Sequence, residues 1–484
     1  MINTNLTKLY ISGKWVDPVN NSSNQSDFIT INPATAKPSG SIKMGSADDV
    51  DLAVTAAKAA FPNFSNTSIG YRRELLEKII SIYEKRLPEI TAALTLEMGA
   101  PVTLAKEAQA MSGLINLKTN LEAFDNFEFC EKYKDYKIVK ESIGVCGLIT
   151  PWNWPINQIT LKVGPAIAAG CTMVLKPSEY SAFSAQIFAE IMDEAGVPHG
   201  VFNMIFGLGD VVGTAITHHP DIDFISFTGS PVIGKAIVNA SSQSLKRLTL
   251  ELGGKSANII TADADLETAV TIGINSIMLN SGQSCAAPTR MLIHSSTYDK
   301  VLAIAKNVVN SITVGDPNDP ATVMGPLVNA KQFENVKRYI TTGLKEGATL
   351  VTGGLNIVCE LSDEYKAGYF VPPTIFADVN NNMTIAREEI FGPVLCIIKY
   401  DTIEEAIDIA NDSIYGLAAY VYAKDVNSAT EIANKLRAGQ VYLNCARFRT
   451  GAPFGGYKQS GIGRESGKYG IDEFLEVKAI LYKE

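Results

Sequence analysis

The chain has 484 residues, of which 46% are hydrophobic and 19% charged, proportions typical of a soluble globular protein with more than one domain. Lys and Arg number 42 against 51 Asp and Glu, and the net charge of -9 argues against a surface that binds nucleic acid. The first residues lack the pattern of a secretory signal, and the apolar run 166–175 is too short to cross a membrane. Seven cysteines without a C-x-x-C pair favour reduced thiols. We therefore expect a cytoplasmic protein with no nucleic-acid or membrane partner.

Helical patterns cover the first third of the chain. Apolar residues recur at helical spacing over 50–61 and again over 71–87. Pro88 predicts the end of the second helix, and a third helix is expected to end at Met98. Residues 121–142 are rich in aromatic and charged side chains without a helical period, and we expect them to form a projecting hairpin.

From residue 143 onward, short apolar runs alternate with helix-sized segments, the pattern of βαβ units in parallel sheets. The first series of predicted strands covers 144–150, 172–176, 201–205 and 223–228. The second series covers 257–260, 290–294, 349–351, 394–400, 417–422 and 440–444. Two successive α/β domains are the economical interpretation.

Glycine-rich turns follow two strands of the first series. Gly207, Gly209 and Gly213 form a G-x-G-x-x-x-G pattern, one residue longer than the usual dinucleotide fingerprint. Gly229 and Ser230 follow the next strand and precede a helix. Such turns let the backbone approach a pyrophosphate at a helix N-terminus, although a tight strand-to-helix turn explains the first pattern equally well. Two in succession favour a nucleotide crevice.

Lys176 and Glu179 follow the predicted strand 172–176, at the sheet edge where α/β proteins bind ligands. Both side chains could contact ribose hydroxyls, and the carboxylate would repel a 2′-phosphate. An exposed loop with ordinary charges is the alternative.

Three further residues have surroundings suited to catalysis. Cys285 lies among small and polar residues, whereas most cysteines lie in apolar core segments. Glu251 ends an apolar strand, and its burial would raise its pKa toward that of a general base. Asn153 lies in the segment Pro-Trp-Asn-Trp-Pro (151–155), a stiff setting for an oxyanion donor. A buried thiol, a carboxylate bound by backbone donors and a packing corner are the alternatives.

Other chemistries have little support. Only four histidines occur, and the adjacent His218 and His219 lack the i,i+4 spacing of a helical metal site, so we expect no metal. A Ser-His-Asp hydrolase is also short of histidines. Glu388 and Glu389 are adjacent, and so lack the separation that a glycosidase needs.

Taken together, these segments resemble the aldehyde dehydrogenase superfamily over essentially the whole chain. The segments that carry the resemblance are, in chain order, LYISGKW (9–15), PWN (151–153), KPSE (176–179), FTGS (227–230), LELGGK (250–255), GQSC (282–285), EEIFGPV (388–394), PFGGYK (453–458) and FLEVK (474–478). One such segment could arise by chance, but the whole ordered set could hardly do so.

The resemblance implies an α/β aldehyde dehydrogenase-like fold with three parts. These are an open α/β NAD-binding domain (1–123 and 143–253), an α/β catalytic domain (254–474) and a β-hairpin oligomerisation arm (124–142 and 475–484). It also implies a homo-oligomer, either a dimer or a tetramer.

The resemblance further implies NAD-dependent oxidation of a small-molecule aldehyde to a carboxylic acid. Cys285 matches the nucleophile that forms a thiohemiacetal and then a thioester. Asn153 matches the oxyanion hole, together with the Cys285 backbone N–H. Glu251 matches the base that activates the hydrolytic water, and Lys162 and Glu465 match a proton relay behind it.

Cofactor and substrate residues carry over from the family position by position. The cofactor residues are Ile149, Trp152, Lys176, Glu179, Gly209, Gly213, Gly229, Ser230, Ile233, Leu252, Glu389 and Phe391. Glu179 favours NAD over NADP. The substrate tunnel is assigned to Trp154, Asn157, Leu279, Ser284, Arg447 and Phe454. Arg447 and Arg449 could attract an anionic semialdehyde or could face solvent or a subunit boundary, so betaine-type, aliphatic and semialdehyde substrates all stay open.

Three alternatives accompany this interpretation. A CoA-acylating relative usually lacks the carboxylate at the base position, and Glu251 is present here. An NADP-preferring enzyme is disfavoured by Glu179. A catalytically silent protein on the same scaffold would require the loss of Cys285, Asn153 or Glu251, and all three are present.

Overall fold

The structure, a computed structural model, describes residues 2–19, 27–355, 361–446 and 448–483. Its strands are β1 (Asn5–Leu6), β2 (Leu9–Ile11), β3 (Lys14–Val16), β4 (Phe28–Asn32), β5 (Lys37–Ile42), β6 (Cys130–Lys132), β7 (Tyr136–Ser142), β8 (Val145–Ile149), β9 (Thr172–Lys176), β10 (Phe202–Met204), β11 (Phe224–Thr228), β12 (Arg247–Glu251), β13 (Ala257–Ile260), β14 (Arg290–His294), β15 (Thr349–Thr352), β16 (Thr374–Ala377), β17 (Val394–Tyr400), β18 (Ala418–Tyr422), β19 (Gln440–Leu443), β20 (Gly461–Ile462) and β21 (Leu475–Leu481).

The α-helices alternate with these strands over most of the chain. They are α1 (Ala47–Ser65), α2 (Ile69–Met98), α3 (Val102–Leu104), α4 (Met111–Asp125), α5 (Pro155–Ala169), α6 (Ala182–Glu194), α7 (Thr214–His218), α8 (Pro231–Ser241), α9 (Leu266–Met278), α10 (Tyr298–Asn310), α11 (Ala330–Lys345), α12 (Thr384–Arg387), α13 (Ile403–Asn411), α14 (Val426–Ala433) and α15 (Gly467–Asp472). Two π-helical segments, Ala105–Ala110 and Gly209–Gly213, run directly into α4 and α7.

The first large sheet has eight strands in the order β20-β12-β11-β8-β9-β10-β2-β3. The five strands from β12 to β10 run parallel, and the strands at both edges are antiparallel. Strands β8, β9 and β11 are buried at every residue, as expected for the centre of a helix-covered parallel sheet. The first series of predicted strands is confirmed to within one residue at each end.

The second large sheet has seven strands in the order β15-β16-β17-β14-β13-β18-β19, and only the β15–β16 pair is antiparallel. Its predicted strands are also confirmed to within one residue, but β16 was missed. One hydrophobic core surrounds the first sheet, and two separate clusters pack against the second. The α/β class is therefore confirmed, with two sheets and separate cores.

A third sheet joins distant parts of the chain. Strand β7 pairs antiparallel with both β6 and the C-terminal strand β21, in register Leu475 to Ser142 and Leu481 to Tyr136. Strand β21 is an edge strand whose Val477 is 67% exposed and Leu481 79% exposed. The hairpin is confirmed, with one correction: α4 continues to Asp125, so the start of the aperiodic segment 121–142 is helical.

Helix α2 corrects a second expectation, because it continues through Pro88 instead of ending there. Proline removes one backbone hydrogen bond from a helix interior, which normally favours a break. Here the helix is anchored on both sides of the proline by buried side chains, among them Ile79 and Tyr83 before it and Ile90 and Leu94 after it. Tertiary packing of one continuous apolar face therefore offsets the lost bond.

Two further observations concern the described residues. No helix among them has both the length and the apolar character needed to cross a membrane. No group of His, Cys, Asp or Glu side chains in the described ranges has an arrangement that could hold a metal ion. His218 instead contacts the carbonyl of Thr214, and His219 contacts Asp51.

Candidate active site

Strand direction brings the predicted motifs to one place. In the parallel part of the first sheet, Asn153, Lys176, Gly229 and Glu251 lie at or just after the carboxyl ends of β8, β9, β11 and β12. Such an edge is where open α/β sheets bind ligands. Cys285 precedes β14 and so lies at the amino-terminal edge of the second sheet. The first sheet therefore contributes its carboxyl edge to the candidate site, and the second sheet contributes its amino edge.

Residues 279–286, which we call the thiol loop, follow α9 with a tight left-handed turn. Asn280, Ser281 and Gly282 have φ values of 53°, 56° and 73°. A Cβ on Gly282 would lie 2.1 Å from the Gly392 carbonyl oxygen, so glycine is required there. Ser281 Oγ donates to the Gly325 carbonyl at 2.8 Å. The turn is therefore stabilised by the close packing of Gly282 against Gly392 and by the hydrogen bond that Ser281 donates.

The Pro-Trp-Asn-Trp-Pro segment binds the thiol loop directly. Asn153 is 4% exposed, and its Nδ2 donates to the Gln283 carbonyl at 3.0 Å. Trp154 Nε1 donates to Ser284 Oγ at 2.9 Å. Two successive residues between β8 and α5 thus contact the two residues before Cys285, which places the predicted oxyanion donor beside the predicted nucleophile.

The surroundings of Cys285 disfavour its thiolate. Burial raises the pKa of the thiol to about 12, and the carboxylates of Glu389 and Glu251 act in the same direction. A Cβ on Gly254 would lie 2.4 Å from the Cys285 carbonyl oxygen. The glycine pair after Glu251 therefore allows close contact between the base-bearing segment and the thiol loop, and the resting thiol keeps its proton.

Glu251 is 2% exposed, and neither carboxylate oxygen has a hydrogen-bond partner among the described residues. Burial raises its pKa well above the ordinary value, and the nearby Glu465 carboxylate adds to the shift. Behind it, Lys162 Nζ lies 2.5 Å from Glu465 Oε1 and donates to Ser226 Oγ at 3.0 Å. The Glu251 carboxyl group can therefore exchange a proton without breaking a hydrogen bond, and the Lys162–Glu465 ion pair lies near it.

Lys176 and Glu179 form the core of a possible ribose site. Lys176 Nζ donates to the Pro177 carbonyl at 3.0 Å and lies 3.4 Å from Glu179 Oε2. An ammonium group has three donors, so one is left for a ligand hydroxyl. A Cβ on Gly213 would lie 3.9 Å from Lys176 Cδ, and one on Gly209 would meet no atom within 4 Å. The predicted glycine turn and the lysine are therefore neighbours, with open space beside them.

Exposed apolar side chains lie in the two strand-to-helix turns. Val211, in the first glycine turn, is 42% exposed, and in the first turn of α8 Val232 is 75% exposed and Ile233 50% exposed. Ser230 caps helix α8 by accepting from the Ile233 backbone N–H at 3.4 Å. An apolar wall beside a lysine and a capped helix fits the adenine, ribose and phosphates of a dinucleotide.

The remaining predicted cofactor residues lie between this crevice and the thiol. Trp152 and Phe391 pack edge-to-face with ring centroids 5.5 Å apart. Glu389 Oε1 accepts from the Gly254 backbone N–H at 3.0 Å, and burial raises its pKa to about 7. Three residues complete the set at the strand ends and turns: Ile149 and Leu252 are buried, and Gly229 donates to the Glu251 carbonyl.

The predicted tunnel residues are only partly assembled. Phe454 packs edge-to-face on Phe448 with centroids 6.2 Å apart, and Leu279 is 42% exposed. Asn157 is half-buried in the first turn of α5. Arg447 lies outside the described residues. The contact of Trp154 with Ser284 is thus the firmest link between the predicted tunnel and the thiol loop.

Residues that sequence patterns did not single out complete the geometry. A Cβ on Gly455 would lie 2.8 Å from Glu251 Oε1, and its φ is 153°, so glycine allows the loop to pass over the base. Asn280 bonds to both Asn153 and Gln283. Gly455 lies in the quoted segment PFGGYK, and Asn280 lies two residues before GQSC, but no local signal marked their long-range contacts.

Comparisons with known proteins show the family to which the chain belongs. The model of the aldehyde dehydrogenase family matches residues 19–480. The 3-succinoylsemialdehyde-pyridine dehydrogenase of a Pseudomonas species is 51% identical over 475 residues, 98% of each protein. A putative aldehyde dehydrogenase of Staphylococcus aureus (strain USA300) is 46% identical over 475 residues, again 98% of each.

Solved structures match as closely. Aldehyde dehydrogenase C of Pseudomonas syringae, a mutant complexed with NAD+ and octanal, has a TM-score of 0.96 and 45% identity, covering 99% of this chain and 98% of that one. The aldehyde dehydrogenase of Mycobacterium tuberculosis complexed with NAD+ has a TM-score of 0.94 and 40% identity, covering 99% of both. Fold and sequence together define an oxidoreductase that acts on aldehydes. The chain belongs to the aldehyde dehydrogenase family, which confirms the resemblance and the expected fold.

Proposed function

We propose that this protein oxidises an aldehyde to a carboxylic acid with NAD, through a thioester on Cys285. The observation that carries the proposal is the convergence of three elements from two sheets. Asn153 bonds to the residue two positions before the thiol, and Glu251 lies close enough to raise the thiol's pKa. The presence of Glu251 favours hydrolysis over transfer of the acyl group to coenzyme A.

The first half-reaction forms a bond between Cys285 Sγ and the aldehyde carbon. The thiol proton leaves to bulk water during the attack, because the raised pKa keeps the resting group neutral. The developing oxyanion accepts from Asn153 Nδ2 and the Cys285 backbone N–H, a type of contact typically worth ~10²–10³ in rate. Asn153 Nδ2 has a second hydrogen for this role, since its other hydrogen is donated to Gln283.

The second half-reaction hydrolyses the thioester. Glu251 accepts a proton from water as the water oxygen attacks the acyl carbon, and Cys285 leaves with its electron pair. Its raised pKa suits this role, and the Lys162–Glu465 pair offers a route for the proton. Gly455 keeps a side chain from covering the base.

The cofactor site is proposed from the residues that fit a dinucleotide. Lys176 and Glu179 would hold the adenine ribose, Ile233 the base, and Glu389 and Phe391 the nicotinamide end. When bound, NAD supplies the acceptor for the two electrons and hydrogen lost by the aldehyde carbon. NAD is favoured over NADP because Glu179 would repel a 2′-phosphate, and family structures with NAD+ support this choice.

The domain roles and assembly are also proposals. Residues 1–123 and 143–253 form the NAD-binding domain, 254–474 the catalytic domain, and 124–142 with 475–484 an arm that joins a dimer or tetramer. The open edge and exposed apolar residues of β21 support the arm's role. A cytoplasmic location remains a prediction from the cysteine pattern.

The substrate is proposed to be an aldehyde with an apolar body. The aromatic rings of Trp154, Phe448 and Phe454 support this. One relative is named a 3-succinoylsemialdehyde-pyridine dehydrogenase, and the structure of another contains octanal. An anionic semialdehyde is the second candidate, because Arg449 belongs to the same loop as Phe448 and Phe454 and its guanidinium group can pair with a carboxylate. A screen of aldehydes with NAD, read at the absorbance of the reduced cofactor, would choose among them.

The decisive test is Cys285→Ala. We expect turnover to vanish while NAD binding, measured by calorimetry, stays within about twofold, because the change removes the nucleophile alone. Cys130→Ala, a half-buried cysteine in the hairpin, is the matched control and should keep normal turnover. Aldehyde oxidation by the Cys285 variant at the normal rate would refute the proposal.

A further inference from the structure

A buried glutamine connects an irregular helical segment to the thiol loop. The π-helical segment Ala105–Ala110 separates α3 from α4, and π-helical turns often occur at functional sites. Gln109 lies in this segment and is 1% exposed. Its Nε2 donates to Asn280 Oδ1 at 2.9 Å, across 171 residues of chain.

Asn280 in turn bonds to Asn153, the predicted oxyanion donor. Its Nδ2 donates to the Asn153 carbonyl at 2.8 Å and to the Gln283 carbonyl at 3.3 Å. Because both Nδ2 hydrogens face carbonyl oxygens, the amide cannot flip without placing its oxygen against them. Asn280 Oδ1 therefore needs a donor on its other side, and Gln109 supplies it.

The backbone of Asn280 makes this support necessary. Its φ of 53° lies in the left-handed region, which is unfavourable for a residue with a side chain. Gln283 Nε2 donates to the Asn280 carbonyl at 3.0 Å, and the Val328 N–H donates to Gln283 Oε1 at 3.0 Å. The strained turn before Cys285 is thus held by a network of buried amides.

We propose that Gln109 is a positioning residue for the oxyanion hole, acting through Asn280 on Asn153 and the thiol loop. The inference rests on the proposed roles of Asn153 and Cys285. Gln109 touches neither residue, so its effect is on the placement of the Asn153 amide when the thiol attacks. Acyl-enzyme formation should therefore depend on Gln109, whereas cofactor binding should not.

A buried amide in α4, the helix that follows the π-helical segment, offers a comparison. Asn120, in α4, is 4% exposed, and neither of its side-chain atoms has a hydrogen-bond partner in the described ranges. It lies beside Gly164 of α5, and no hydrogen bond joins its side chain to the thiol loop in the described structure. Asn120→Leu therefore reproduces the change from a buried amide to an apolar side chain without touching the network.

The experiment measures the burst of reduced NAD after rapid mixing of each variant with aldehyde and NAD. Gln109→Leu keeps the volume but leaves Asn280 Oδ1 without its donor, and we expect the burst rate to fall about 10-fold. The KM for NAD should stay within about twofold. Asn120→Leu should keep the burst rate of the original protein.

Gln109→Glu gives a readout that a purely structural role would not produce. Its carboxyl group can donate to Asn280 Oδ1 only while protonated, and burial raises the pKa of such a group. The burst rate of this variant, divided by that of the original protein, should therefore fall as pH rises from 6 to 9. Gln109→Leu should show a ratio that does not change with pH.

Two variants separate failure of this inference from failure of the proposed function. If Asn153→Ala and Cys285→Ala lose the burst while Gln109→Leu keeps it, the role of Gln109 is wrong and the proposed function stands. If the Asn153 and Cys285 variants both keep the burst, both proposals fail. Equal losses of burst and thermal stability in Gln109→Leu and Asn120→Leu would assign Gln109 a structural role and overturn the inference.

Discussion

Glu251→Gln is the most informative single substitution, because it keeps the shape of the side chain and removes its capacity to accept a proton. The carboxylate is 2% exposed and lacks hydrogen-bond partners in the described structure, so the amide fits without breaking a contact. Its folded pKa is raised by burial and by Glu465. Below that pKa the group holds its proton, and it becomes a base as pH rises through it.

The magnitude follows from these observations. A positioned general base typically contributes ~10²–10⁴ in rate, so steady-state turnover should fall by about that factor. Each pH unit below the raised pKa leaves about tenfold less ionised base, so deacylation of the original protein should rise about tenfold per unit. The deacylation rate of Glu251→Gln should not show this dependence on pH. Its burst should not slow, because Glu251 raises the pKa of Cys285 and the amide relieves that effect.

Rapid-mixing kinetics and intact-protein mass spectrometry test both parts. The variant should release about one equivalent of reduced cofactor per active thiol and then stall as a covalent acyl adduct. Glu388→Gln is the matched control, since Glu388 accepts a 2.7 Å hydrogen bond from Tyr339 and has no assigned role in the reaction. Normal turnover with an unchanged pH slope and no adduct in Glu251→Gln would refute the reasoning.

Three further predictions concern cofactor choice, stability and assembly. Glu179→Gln should raise the ratio of kcat/KM for NADP over NAD about 10-fold, because it removes the repulsion of a 2′-phosphate and frees Lys176, 3.4 Å away. Glu97, whose pKa burial raises to about 8, stabilises the fold at low pH, and that stability is lost as pH rises from about 4.5 through 8. Glu97→Gln should remove this slope of up to about 1.4 kcal/mol per pH unit in urea unfolding. Val477→Glu on the exposed edge strand should lower the mass measured by light scattering.

Each of these has a clear contrary result. An unchanged cofactor ratio in the Glu179 variant would remove the carboxylate from cofactor choice. Parallel pH profiles of stability with and without Glu97 would show that it titrates normally in the fold. An intact oligomer in the Val477 variant would exclude β21 from the interface.

Local patterns predicted the strands because each is short, apolar and bounded by turns. Strand β16 was missed because its four residues follow two prolines and carry no alternation. The prediction that a helix ends at Pro88 was wrong because the lost hydrogen bond is local to the helix, whereas the packing that offsets this loss comes from distant elements. Cys285, Glu251 and Asn153 were singled out by their local surroundings and then matched to family motifs, but no sequence pattern links Gln109 to Asn280, since that contact joins segments 171 residues apart.

The placement of the site between two separate cores has a consequence for how the protein loses activity. The bonds that align the thiol, from Asn153 to Gln283 and from Trp154 to Ser284, join the segment after β8 of the first sheet to the loop before β14 of the second. A small displacement of one core against the other would break them while each core stays folded. Low urea concentrations should therefore inactivate the protein reversibly before circular dichroism reports unfolding. The catalytic rate would then report the relative position of the two large sheets.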